Sequence, residues 1–335
     1  MIVEQITLMM NPRLIVTFTL LLAMSALSLF SQDRNTSPGT ADPASGKEAV
    51  AEPTAASLAT RGPAAASETA AGPATGPLTT SGPVSGSLVI VGGGRLSDTI
   101  IERFIELAGG ADARIVLVPT ADGAGSYNDR AAEFLRSRGA ANVVILHTGS
   151  RDTADTEAFT RPLEDATGVW FGGGRQWRLV DSYGGTRTEA MFRRVLERGG
   201  VIGGSSAGAT IQGSFLVRGD TKNNQVMMGD HQEGFGYISN IAIDQHVLAR
   251  NRQFDMYEVI RAHPELLGIG IDENTAAIVK GDTLEVLGAS SILIYDGTFW
   301  SREGSDLKTL PAKESLFYFI RQGDRYDLRK RQVIE

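Results

Sequence analysis

A serine set among glycines is the part of this chain best suited to chemistry. The segment Gly203-Gly-Ser-Ser-Ala-Gly-Ala209 follows an apolar lead-in, Gly200-Val-Ile202, and continues into Thr210 and Ile211. A strand that turns sharply into a helix reads this way when the serine sits at the turn. The pattern also fits the nucleophile elbow G-x-S-x-G, with Ser206 at its centre. Small flanking residues suit a tight turn whose backbone must approach a substrate closely. The free N–H groups of the helix that follows would meet an oxyanion formed beside the serine. The same letters also describe an ordinary glycine-rich strand-to-helix connection, so partners elsewhere in the chain must decide.

A serine nucleophile needs a base, and the chain holds four histidines. His147 closes an apolar run but reads as a loop residue. His231 lies in the polar stretch Gly229-Asp-His-Gln-Glu-Gly234, and His263 precedes Pro264 at a helix end. His246 stands in Ile243-Asp-Gln-His-Val247, where polar residues crowd the end of an apolar run, with Arg250 and Arg252 just beyond. Catalytic side chains emerge at such strand ends in α/β proteins. For a group to orient the imidazole, the run Leu267-Gly-Ile-Gly-Ile271 ends in Asp272-Glu273. A buried acid on the second ring nitrogen fixes the tautomer and stabilises the imidazolium.

The elements that must carry these residues follow a regular plan. Apolar runs at Leu88–Val91, Arg114–Pro119, Asn142–His147 and Val169–Phe171, and the one leading into Ser206, alternate with helical stretches. Those helical stretches open at Ser97-Asp98 and cover Asn128–Arg138, Gln176–Tyr183 and Thr188–Arg198. Short Val/Ile/Leu strands alternating with helices imply a doubly wound α/β fold, a mostly parallel sheet covered on both faces. Later, Thr275–Val279 and Thr283–Leu287 flank Gly281-Asp282 as a hairpin, and Ile292–Tyr295 follows, a small antiparallel C-terminal extension. One domain over 87–335 accounts for all of these elements. Its glycine-rich strand ends (92–94, 172–174 and 203–204) should gather on one edge. Gly92-Gly93-Gly94 lacks the G-x-G-x-x-G spacing, and no acidic residue follows at the ribose-binding distance, so a nucleotide cofactor is not expected.

Composition removes further classes. With no cysteine, disulfides, thiolate catalysis and cysteine metal sites are excluded, and no metal or cofactor is expected. A net charge of −7 without a long basic run argues against a nucleic-acid partner. Ahead of the domain, Arg13 precedes the apolar run Leu14–Phe30 and then Ser31-Gln-Asp33, which reads as a signal peptide over 1–31 and hence export to the periplasm or exterior. The run is short for a membrane span, though an uncleaved, membrane-anchored form stays open. Residues 32–86 are rich in Ala, Gly, Pro, Ser and Thr, with Gly-Pro recurring at 62–63, 72–73, 76–77 and 82–83. That composition buries too little apolar surface to order itself and reads as a disordered linker.

Four segments occur in order and in register: Phe171-Gly-Gly-Gly-Arg-Gln176, Ser206-Ala-Gly-Ala209, Asp244-Gln-His246 with its following arginines, and Gly270-Ile-Asp-Glu273. Together, over residues 88–298, they resemble the cyanophycinase family of serine peptidases. That family is related to the aspartyl dipeptidases and built on a fold similar to the class I glutamine amidotransferase domain, itself flavodoxin-like. The resemblance implies Ser206 as nucleophile, His246 as base and Glu273 as the orienting acid. It implies an oxyanion hole from backbone N–H groups near Gly174 and Ala207, and a substrate pocket lined by Gln176, Asp244, Gln245, Arg250 and Arg252. The implied activity is hydrolysis of β-aspartyl (isopeptide) bonds through an acyl-enzyme, with release of β-aspartyl-arginine dipeptides from the storage polymer cyanophycin. Relatives imply a homodimer.

Charge chemistry bears on these roles. Paired guanidinium forks suit a free carboxylate beside the scissile carbonyl, although Arg250 and Arg252 on pattern alone read as solvated charges. Two positions depart from the family pattern: Asp255 stands where a further arginine is expected, and Arg175 where a small polar or acidic residue is common. A cation replaced by an anion at a pocket edge inverts the local preference, so both positions bear on specificity. An aspartyl dipeptidase of other specificity is one alternative. An α/β-hydrolase esterase shares the elbow, but there the acid precedes the histidine, whereas Glu273 follows His246. A non-catalytic binding protein on an amidotransferase-like scaffold would not require serine, histidine and acid together.

Overall fold

In the computed structural model, which describes residues 79–297 and 317–335, successive residues of β1 (Ser87–Val91) face different layers. Leu88 and Ile90 join one apolar cluster, and Val89 and Val91 another. This alternation is the period of a strand buried on both faces. β2 (Arg114–Val118), β3 (Asn142–Ile145), β4 (Gly168–Phe171) and β5 (Val201–Ser205) run parallel with it in the order β1-β5-β4-β2-β3. Helix α1 (Asp98–Leu107) covers one face, burying Ile100, Ile101, Phe104 and Ile105 as a single stripe. On the other face lie α2 (Trp177–Tyr183) and α3 (Arg187–Glu197). The fold is α/β and doubly wound, as its alternating pattern indicates. The helical stretch expected at 128–138 is a 3₁₀ turn, Asp129–Ala132, followed by a short helix, Glu133–Arg136.

The later strands divide between two sheets, a partition that their apolar runs do not announce. β9 (Thr275–Lys280) and β10 (Thr283–Gly288) form the expected hairpin, and β9 pairs antiparallel with β1. With β13 (Arg325–Asp327) and β14 (Gln332–Ile334) they extend the first sheet to nine strands among the described residues. Among the described residues a second, five-stranded sheet has the order β12-β11-β8-β7-β6. It comprises β6 (Gly213–Phe215), β7 (Ile238–Gln245), β8 (Leu267–Ile271), β11 (Ser291–Asp296) and β12 (Tyr318–Arg321). The two sheets share the large apolar cluster that joins Leu88 and Ile202 with Ile241, Ile243, Leu267 and Ile269. Helix α4 (Ala207–Thr210) follows β5, and α5 (Met256–Ala262) covers the outer face of the second sheet.

The expected signal peptide (1–31) and the linker up to residue 78 lie outside the described residues. The packed chain starts ahead of the expected boundary at 86. Thr80 Oγ1 donates to Asn240 O at 3.1 Å, Ser81 bridges Ser239, and the Gly82 N–H donates to Asp282 Oδ1 at 3.2 Å.

Candidate active site

Three consecutive carbonyls at the end of β1 gather the candidate residues. Val91 O accepts the Ser206 N–H at 3.0 Å, Gly92 O the His246 N–H at 2.8 Å, and Gly93 O the Asn274 N–H, next to Glu273, at 3.0 Å. Ser206 therefore arrives from β5 of the large sheet. His246 arrives from β7 of the small one, and Glu273 from the crossing where the chain leaves β8 for β9. Ser206 has φ 57° and ψ −113°, and His246 has φ 54°, both costly for residues with a Cβ. Such strain persists only where surrounding bonds over-determine it, as the β1 carbonyls do here.

The side chains form one hydrogen-bonded line. His246 Nδ1 lies 2.5 Å from Glu273 Oε1, and His246 Nε2 lies 2.9 Å from Ser206 Oγ. A carboxylate can only accept, so Nδ1 carries the hydrogen and Nε2 of the neutral ring is left to accept from the serine hydroxyl. His246 is buried, and its pKa is held below the usual 6.5 chiefly by desolvation. The hydrogen bond to Glu273 pulls the value up, while the positive charges of Arg250 and Arg252 push it down. The ring thus rests neutral at pH 7, the form a general base requires. The acid limb of kcat/KM is expected below pH 6.5. Because the Arg250 charge lowers this pKa, Arg250→Gln should move the limb to higher pH, and a pH–rate profile that does not move, or moves down, contradicts the assignment.

Two glycines missed by sequence reasoning fit against this line. A Cβ on Gly93, whose φ is +107°, would stand 2.2 Å from His246 Cε1, and one on Gly94 would stand 2.6 Å from Glu273 Oε2. Gly93 and Gly94 leave the side-chain space to the imidazole and the acid, while a Cβ on Gly92 would meet the carbonyls of Ile271 and Asp272. Gly93→Ala is expected to stay folded but to lose roughly 100-fold in kcat, the usual scale for a displaced catalytic group. Turnover within about threefold of wild type would show that the ring can shift without consequence.

The remaining expected residues fall into two groups. Ala207 opens α4, so its N–H has no acceptor within the helix, and it adjoins Ser206. In the Gly172–Gln176 turn the glycine nearest the serine is Gly173, whose ideal Cβ lies 3.5 Å from Ser206 Cβ, whereas Gly174 packs against Ala121 O. Arg250 is exposed beside the site, and its N–H donates to His246 O. Arg252 is buried and donates to Gln245 O and Oε1 at 3.3 and 3.2 Å. Gln176 is buried, its Nε2 donating to Val217 O at 2.8 Å.

Asp244 is the correction to the expected pocket. Its carboxylate is fully buried, and both oxygens are taken by Arg218, Nε to Oδ1 at 2.8 Å and Nη2 to Oδ2 at 2.9 Å. Arg218, also fully buried, extends Nη2 to Asp255 Oδ2 at 2.6 Å. The acidic residue at 255 is thus neutralised by an arginine supplied from another segment. No feature of Leu216-Val-Arg-Gly219 signals that role. Arg175, the other departure, donates to Asp220 O. His147 bonds Thr120 Oγ1, His231 bonds Asp181 and Asp230, and His263 lies 3.5 Å from Glu265, all away from Ser206. Among the described residues no group of three or more His, Asp or Glu side chains converges where a metal could sit.

A buried imidazole between a serine at a strained turn and a carboxylate, at the carboxyl edge of a doubly wound sheet, defines a serine-type hydrolytic site. Peptidase family S51 matches residues 88–287. The cyanophycinase of Synechococcus elongatus is 34% identical over 248 residues, 70% of this chain and 76% of that protein. The cyanophycinase of Geminocystis herdmanii is 30% identical over 245 residues, 70% of this chain and 89% of that one. A crystal structure of a peptidase from an acI-B1 Actinobacterium, 24% identical, superposes with a TM-score of 0.52 over 72% of this chain and 97% of its own, and shares the fold. The chain belongs to peptidase family S51. It is a serine-type, cyanophycinase-like peptidase.

Proposed function

We propose that this protein is an exported serine peptidase that cleaves β-aspartyl-containing peptides or cyanophycin through an acyl-enzyme. The observation that supports it most directly is the line Ser206–His246–Glu273. In this reading Ser206 Oγ attacks the scissile carbonyl while His246 Nε2 takes its proton, and Glu273 stabilises the imidazolium. The tetrahedral oxyanion is received by the N–H groups of Ala207 and of the Gly173–Gly174 turn. His246 then protonates the leaving amine, and water attacks the acyl-serine by the same proton route in reverse. For a β-aspartyl isopeptide substrate, Arg250 and Arg252 bind the free α-carboxylate beside the scissile carbonyl. With Asp244 held by Arg218, selection of a cationic substrate group falls to other residues.

Two expectations about the bond diverge on chemical grounds. Release of an intact β-aspartyl-arginine dipeptide leaves its isopeptide whole, so the bond broken must be one that joins units. Cleavage of the isopeptide itself would liberate aspartate and arginine. Incubating the purified protein with cyanophycin and with a panel of β-aspartyl dipeptides, with products read by mass spectrometry, separates the two. Intact dipeptide from the polymer supports cleavage between units. Cleavage of dipeptides but not polymer supports the dipeptidase reading, and no product from any substrate sinks the proposal. Export through residues 1–31 is tested by cell fractionation, where a cytoplasmic location contradicts it. The family resemblance also supports a homodimer.

A further inference from the structure

Beyond Ser206 the carboxyl edge of the large sheet holds a concave site. A cleft of about 420 Å³ opens between the ends of β2 and β3 and the start of α2, lined by Thr120, Gly123, His147, Trp177, Arg178 and Asp181 among others. Two other clefts, of about 540 and 490 Å³, lie at the opposite edge around Arg114 and Asp165, where strands begin. In open α/β sheets ligands bind at the edge where strands end. The first cleft is therefore the one placed for substrate.

Its walls carry one fixed charge of each sign. Arg178 Nη1 donates to the carbonyls of Ala121 and Asp122 at 3.0 and 2.5 Å, and its guanidinium lies 5.2 Å from the Trp177 ring centre. Among the described residues it pairs with no carboxylate, so its position is set while its charge is not neutralised. Asp181, whose side chain is 52% exposed, accepts from His231 Nε2 at 2.8 Å through Oδ1 alone. Trp177 and His147, the latter edge-on to Tyr127 at 4.8 Å, supply flat apolar surface between the charges. A simple anion or cation would leave one of the two charges unmatched. An arginine joined through its amine to an aspartate side chain matches both, because it keeps its carboxylate and its guanidinium on one apolar stem.

The cleft and the serine share a wall. Gly173 faces Ser206, while Gly174 packs on Ala121 and the Arg175 N–H donates to Ala121 O at 2.8 Å. β5 and β2 are separated by β4 and the cleft opens between β2 and β3, so it lies two to three strand spacings, roughly 10–14 Å, from Ser206. About three or four extended residues, or one residue and a long branch, span that gap. We infer that this cleft binds the arginine branch of a further β-aspartyl-arginine unit of the substrate, with Arg178 on its carboxylate and Asp181 on its guanidinium. The inference rests on the peptidase reading above and makes hydrolysis faster on longer chains.

The test is a series of oligomers of two, three and four units, assayed with the wild-type protein and with Asp181→Asn, which keeps the oxygen that accepts from His231. Wild-type kcat/KM is expected to rise with length, and the variant to lose about fivefold of that rise. Replacing the arginine of the outermost unit by neutral citrulline should remove the same factor from the wild type and nothing further from the variant. A wild-type rate independent of length, or a variant that keeps the full rise, overturns the subsite and leaves the peptidase reading standing. A wild-type protein that cleaves none of the oligomers overturns both.

Discussion

Ser206→Ala abolishes turnover and leaves a folded protein. The hydroxyl has one partner, His246 Nε2 at 2.9 Å, so its loss breaks no other contact. The φ of 57° is held by backbone bonds that alanine retains: Ser206 N–H to Val91 O, and Ser206 O accepting from Ala209 and Thr210 at 2.9 and 3.1 Å. Circular dichroism and thermal melting should match the wild type within a few degrees. The rate should fall by roughly four to six orders of magnitude, to what binding and the oxyanion donors supply alone. Hydrolysis within about tenfold of wild type would remove Ser206 from the chemistry.

Glu273→Gln is expected to lower kcat by about three to four orders of magnitude. An amide in place of the acceptor 2.5 Å from His246 Nδ1 neither fixes the tautomer securely nor stabilises the imidazolium. The pH profile carries an independent sign. The Glu273 bond raises the His246 pKa against burial, so the acid limb of any residual activity should move to lower pH in the variant. The neighbouring acid serves a different purpose. Asp272 Oδ1 accepts from the N–H groups of Leu248 and Ala249 at 3.0 and 2.8 Å, and Oδ2 from Ser290 Oγ at 2.7 Å. Asp272→Asn should therefore cost stability rather than rate. If instead Glu273→Gln keeps its kcat and Asp272→Asn loses it, the two roles are reversed.

Ser206, His246 and the pair Asp272-Glu273 stood out as candidates in the sequence because each follows an apolar run and so stands at a strand's carboxyl end; the choice of Glu273 from that pair came from the family resemblance. The α/β alternation that places β1 to β5 was legible through the same runs. What periodicity does not record is the partner of a strand. β7 and β8 are as apolar as β1 and β5, and nothing in Ile241–Ile243 or Leu267–Ile271 says that they belong to a second sheet. Arg218 was hidden because its meaning depends on Asp244 and Asp255, 26 and 37 residues away. Asp244 was misread with it, since a polar residue at a strand end suggests a substrate contact until its buried partner is seen. Gly92–Gly94 was placed on the ligand-binding edge and weighed against a dinucleotide motif, and neither reading says anything about two side chains that need the room.

The three carbonyls of Val91, Gly92 and Gly93 also govern how this site can go wrong. Because they are consecutive at the end of one strand, they behave as a three-notch gauge for segments that come from two sheets. A slip of β1 by one residue against β5 would displace the anchors of Ser206, His246 and the Glu273 turn together. Partial assembly of one pair without the third is correspondingly disfavoured. A register slip is thus an all-or-none error, whereas the loops that carry the same three residues can vary in length without changing the gauge.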